Sequence, residues 1–189
     1  MMQFSLKRSR LAIVLTFLAL TTCAEPTQEP APPRPLASLV DQTLWTQVPP
    51  EIDPFALPGP TPPCLPEAIQ LGELFGGEPA LSVASEQCGF VSFSQPLLEP
   101  VRAGDPINLR LWHFDLIAPE PSEAVLGLAL GDEIQWNTTI PIPSSSGLIA
   151  TTFTATTAAP AGTPIIFHLH NHGQNSYHLL EISVGDWGL

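Results

Sequence analysis

The chain has 189 residues, of which 23 are Pro, and its 6 Lys plus Arg stand against 18 Asp plus Glu. With 44% hydrophobic and only 13% charged residues it is not a charge-rich disordered chain, and it has enough apolar content for a core. A formal net charge of -12 excludes a nucleic-acid surface, which needs a basic face to neutralise phosphates.

Lys7, Arg8 and Arg10 precede the ten-residue apolar run Leu11 to Leu20. That run is too short to span ~30 Å of hydrocarbon and fits the apolar region of an export signal. It ends in Leu20-Thr21-Thr22-Cys23, which resembles the lipobox of bacterial lipoproteins. The resemblance implies a signal peptide over 1–22, lipidation of Cys23, and membrane attachment through that lipid. With Ala24 following, it implies an outer-membrane or cell-surface location. The alternative is an ordinary signal peptide with an incidental Cys, which implies a periplasmic or secreted protein. Loss of residues 1–22 leaves Arg34, Arg102 and Arg110 against 18 acids, a formal charge of -15, and no Lys. Chemistry that needs a lysine amine is therefore excluded from the mature chain.

Thirteen of the 23 prolines fall between Pro26 and Pro66. Such a stretch lacks the backbone donors for helix or central strand, so 23–63 reads as a Pro-rich linker of extended character. Leu39, Val40, Leu44, Trp45 and Val48 interrupt it with an apolar patch, either a short docking segment or a coloured part of the linker. The folded domain is expected over 64–189. Pro66 to Phe75 is the one stretch with a hint of helix. Eight strand-like segments follow: 80–83, 90–93, 107–114, 124–130, 133–142, 148–157, 163–171 and 177–184. Turn signals such as Ala103-Gly104-Asp105 and Ser144-Ser145-Ser146-Gly147 separate them. This rhythm predicts an all-β antiparallel sandwich of about eight strands.

The block resembles a jelly-roll module of the galactose-binding or carbohydrate-binding-module kind. The likeness rests on Leu111-Trp112-His113 closing a long strand, Ala161 to Phe167 feeding a last hairpin, Asn171-His172-Gly173, and the closing run Leu179 to Val184. It implies a binding module for glycan or an envelope protein, often with a structural Ca²⁺. A structural spacer lipoprotein without a small ligand is a further alternative, since fold alone does not set function.

With Cys23 lipidated, Cys64 and Cys88 remain as an even pair, and an oxidising compartment predicts a disulfide between them. No catalytic motif stands out: there is no Gly-x-Ser-x-Gly elbow, so a non-enzymatic protein is expected. Gly162 and His168-x-His170 match a cupin motif in part. Gln174 stands where its Glu belongs, and too little chain follows for the second motif.

Two candidate sites follow from strand alternation. Arg110 and Trp112 face away from Leu109 and Leu111, and with Trp136 and Tyr177 they form an expected ligand surface of flat aromatic faces. His168 and His170 share the face opposite Ile165, Phe167 and Leu169. With Glu181 as third ligand they form a candidate Zn²⁺ site. The same alternation, counted back from Leu180, Ile182 and Val184, turns Tyr177 outward and His178, like His113, inward.

Overall fold

A computed structural model describes residues 34–56 and 64–186. The expected signal peptide, Cys23 and the start of the linker lie outside the described residues. Among the described residues eleven strands form two sheets. These are β1 Ala37–Ser38, β2 Thr46–Gln47, β3 Ile69–Phe75, β4 Glu78–Ala84, β5 Phe90–Pro96, β6 Pro106–His113, β7 Ser122–Leu130, β8 Glu133–Ile142, β9 Gly147–Thr154, β10 Pro164–Asn171 and β11 Ser176–Val184. The first sheet runs β3-β4-β11-β6-β9, with β1 also on β11, and the second runs β2-β5-β10-β7-β8. All strand pairs are antiparallel. From β4 onward the chain alternates between the sheets, except for the β7–β8 hairpin. The structure is the expected all-β sandwich.

All eight expected strands are present, and period-two alternation explains why. Ile107, Leu109 and Leu111 of β6, Ile165, Phe167 and Leu169 of β10, and Leu126 and Leu128 of β7 are buried in one core between the sheets. Thr-rich β9 alternates half-buried and exposed residues along its length, as an edge strand with one face on the core does. Cys64 and Cys88 are disulfide-bonded, which joins the chain just before β3 to the entry of β5.

Three expectations are corrected. The stretch Ile69–Phe75 is strand, paired with β4 through a two-residue Gly76-Gly77 turn in which both φ values are positive. Only the three residues Pro66–Ala68 before it are helical, as one 3-10 turn. The described part of the expected linker, 34–56, is built into the sandwich. It supplies β1 to the first sheet and β2 to the second, and it buries Leu39, Val40 and Trp45 in the core. Polar bonds lock it there. The Trp45 indole donates to Gln42 Oε1 at 2.8 Å, and Gln42 Nε2 donates to the Leu180 carbonyl at 3.1 Å. The Asp41 N–H donates to Gln95 Oε1 at 2.9 Å, and Gln95 Nε2 returns a bond to the Asp41 carbonyl at 3.0 Å. Proline density was a poor guide here because two-residue edge strands need few backbone donors.

The third correction concerns β11. Its register against β6 slips between Leu179 and Glu181, leaving Leu180 as an extra residue. Tyr177 and Leu179 therefore point into the core along with Ile182 and Val184, and His178 points out.

Because Trp45 is 3% exposed, Trp45→Ala is expected to destabilise the domain by about 3–5 kcal/mol, read as a lowered urea midpoint. A variant as stable as wild type would mean that 34–56 contributes nothing to the fold.

Candidate functional site

The outer face of the first sheet gathers Arg110 and Trp112 from β6 as the sequence predicts. The same alternation brings Phe114 just past the strand. His178 sits directly across from Trp112 in β11, and Ser82 of β4 lies across from His178. Ser82 Oγ and His178 Nδ1 are 2.8 Å apart. Phe75 comes from the end of β3. Its ring lies on the His178 imidazole at 3.9 Å and 10°, and Phe114 meets Phe75 edge-on at 6.0 Å. On the far side of Trp112, the Leu148 side chain of β9 is 48% exposed, and Phe114 is 49% exposed. The result is an open apolar strip across three strands.

A charged group borders the strip. Arg110 donates from both terminal nitrogens to Glu78, at 3.0 and 3.2 Å, and from one to Glu181 at 3.3 Å. Glu181 also accepts from Ser183 Oγ at 2.7 Å. The bonds to Glu78, and secondarily to Glu181, raise the Arg110 guanidinium above its ordinary value, so it stays charged.

The other two expected contact residues do not join this face. Tyr177 is buried in the core, where its hydroxyl donates to Asn171 Oδ1 at 3.2 Å, and burial pushes it up. Trp136 packs half-buried against the core and stacks on Phe153 at 5.9 Å, bridging edge strands β8 and β9 of the two sheets. His113 turns inward as expected and is bonded to the Phe114 carbonyl through Nδ1.

The candidate metal set does not converge. His168 and His170 lie on the outer face of the second sheet, whereas Glu181 lies on the outer face of the first. His168 Nδ1 is 2.8 Å from Ser92 Oγ, and its ring is capped by Phe55 at 4.7 Å and 12°. Phe55 belongs to the segment that leads away from β2. It nests over Gly127, where any Cβ would collide with its ring. Among the described residues, no group of three or more His, Cys, Asp or Glu is placed to hold a metal ion.

The residues the sequence reading missed are Phe75, Phe114, Glu78 and His178. Phe114 was within reach, two positions beyond Trp112. Phe75 was hidden in the stretch that hinted at helix, and His178 was turned inward by a phase count that the bulge breaks.

No protein-family model matches the sequence, and no curated protein matches it. Solved structures do show likeness. A carbohydrate-binding module studied for specific mannan recognition is 10% identical, covers 80% of this chain and 96% of its own, and superposes with a TM-score of 0.48. The N-terminal cellulose-binding domain of a Cellulomonas fimi β-1,4-glucanase is 16% identical over 58% of this chain and 80% of its own, at a TM-score of 0.40. The catalytic domain of Agl-KA is 11% identical over 80% of this chain and 27% of its own, at 0.46. At such identities no binding residue of those proteins carries over.

Burial, and secondarily the charge of His170, push His168 down to about 3. An unfolded His titrates near ~6.5, so on acidification the unfolded chain takes up the proton first. This contribution is fully present above about pH 6.5 and is lost progressively as pH falls towards the folded value. Urea unfolding between pH 7 and pH 4 is expected to show a loss on the order of a few kcal/mol, with a shallower slope in His168→Gln. Parallel pH profiles for the two proteins would contradict this origin.

Proposed function

We propose that this chain is a non-enzymatic binding module that takes glycan on the outer face of its first sheet. The observation that carries the reading is the strip of half-buried Trp112 with exposed Phe114 and Leu148, beside the Arg110–Glu78–Glu181 group. A pyranose ring has an apolar C–H face and a rim of hydroxyls. Flat aromatic side chains desolvate the first, and a fixed set of charged donors and acceptors bonds the second. An extended face fits a polymer that runs past the domain, and it needs no deep cavity.

The lipobox-like Leu20 to Cys23 supports carriage of the module on a bacterial envelope, held by acyl chains on Cys23. The -15 charge of the mature chain keeps it off nucleic acid, and an envelope protein is the competing ligand class.

Affinity electrophoresis in gels containing soluble glucans, xylans or mannans tests the binding. Retardation is expected for wild type, with Trp112→Ala and Phe114→Ala weakened about tenfold or more. A folded wild type that no polysaccharide retards would overturn glycan binding and leave the envelope protein to be sought by cross-linking. For the anchor, the intact mass of protein from a bacterial membrane fraction is expected to include acyl chains that Cys23→Ser lacks. An unmodified Cys23 would rule the anchor out.

A further inference from the structure

Two polar atoms beneath the aromatic strip lack partners. Trp112 Nε1 and His178 Nε2 are buried and, among the described residues, have no hydrogen bond. Their residues face each other across β6 and β11. Burying an unpaired polar group is costly, so such atoms in a sheet surface call for an explanation. Phe75 packs against both residues: its ring lies flat on His178 and is 6.3 Å from the Trp112 ring. Between Glu78 and Ser82 on the outer side of β4, the residue is Ala80, fully buried and with only a methyl to fill the space. Phe75 is also the last residue of β3 before the Gly76-Gly77 turn, whose two residues carry no side chain.

We propose that Trp112 Nε1 and His178 Nε2 form a hydroxyl-binding subsite that Phe75 covers in the empty protein and that a sugar opens by displacing the ring. The proposal rests on the glycan-binding reading of this face. An indole N–H only donates, so it needs an acceptor. The imidazole shares one nitrogen with Ser82 Oγ, and its other nitrogen donates or accepts according to which partner supplies the proton. Burial pushes His178 down from its ordinary value and keeps it neutral. Adjacent hydroxyls of a pyranose meet both demands, because each can donate and accept. A carboxylate meets only donors, and here it would also approach Glu78 and Glu181. Phe75 thus selects for ligands able to satisfy both nitrogens, since only those repay its removal.

The cover can be tested without ligand. Indole N–H exchange, followed by NMR on ¹⁵N-labelled protein, compares Trp112 with Trp45, whose indole is bonded to Gln42. Trp112 is expected to exchange at least about tenfold faster than Trp45, and faster again in Phe75→Ala. If Trp112 is as protected as Trp45 and Phe75→Ala changes nothing, the cover does not open.

Calorimetry with an oligosaccharide of the retained polymer tests the subsite. Phe75→Ala is expected to bind more tightly than wild type, and Trp112→Phe and His178→Phe about tenfold more weakly. Weakening in Phe75→Ala equal to that of Trp112→Phe would make Phe75 a stacking platform and overturn the proposal. A wild type that binds no saccharide overturns the hydroxyl-binding part with the reading beneath it. The exchange result then still separates an opening ring from a fixed one.

Discussion

Between Leu179 and Glu181, β11 carries one residue more than β6 opposite it, and the outer face of the first sheet depends on that residue. A single extra residue exchanges the two faces of every position on one side of it. It allows Tyr177 and Val184, seven positions apart, both to enter the core, which plain alternation forbids. It also puts His178 and Glu181 on the same outer face, three positions apart. The bulge has a partner that pins it. The Leu180 carbonyl, displaced from the regular ladder, accepts from Gln42, and Gln42 in turn accepts from the Trp45 indole. The segment before the main strands therefore reaches into the site it never touches.

That segment makes the two outer faces unequal. After β2 it crosses the second sheet, with the Val48 N–H donating to the Ser92 carbonyl and Phe55 resting on His168 over Gly127. The imidazole beneath is almost wholly buried, and Ser92 satisfies one of its nitrogens. On the first sheet the corresponding ring, Phe75, also lies on a histidine, but Phe114 beside it and Leu148 on the far side of Trp112 stay open. Both sheets cap an outward histidine with a phenylalanine. One cap is anchored by the turn at Asp53, whose carboxylate accepts from the Phe55 N–H, and the other hangs from a Gly-Gly turn.

How much of this was legible follows from which signals are local. Apolar alternation in β6 and β10 reads directly as strand and face, so Arg110, Trp112 and the inward His113 were placed from sequence alone. The disulfide followed from counting cysteines. A bulge leaves no mark on composition: Leu179-Leu180 reads as well in phase as out of it, and Tyr177 and His178 were exchanged as a result. Nor does alternation say which sheet a strand joins. Glu181 and His168 both point outward, but on opposite sides of the sandwich. The docking of 34–56 was legible only as one of two readings of its apolar patch, Leu39 to Val48, for a different reason. Prolines exclude regular ladders, not burial, and Trp45 needs only a cavity and one acceptor.

Arg110 shows how the remaining polar groups are used. Its fork joins β6 to Glu78 at the start of β4 and to Glu181 on β11, so one cation ties three strands on an exposed surface. With Glu78 nearly half exposed, such pairs add at most about 1 kcal/mol of stability, so their effect is positional. Glu78 is the residue paired with Phe75 across the Gly-Gly turn. Holding Glu78 therefore fixes the strand opposite Phe75 at the last pair before the two-glycine turn. A guanidinium with two carboxylates has no charge left for an acidic ligand, yet its remaining edges stay directional. The same ion group therefore both holds the strand opposite Phe75 and bears on which ligands approach this face.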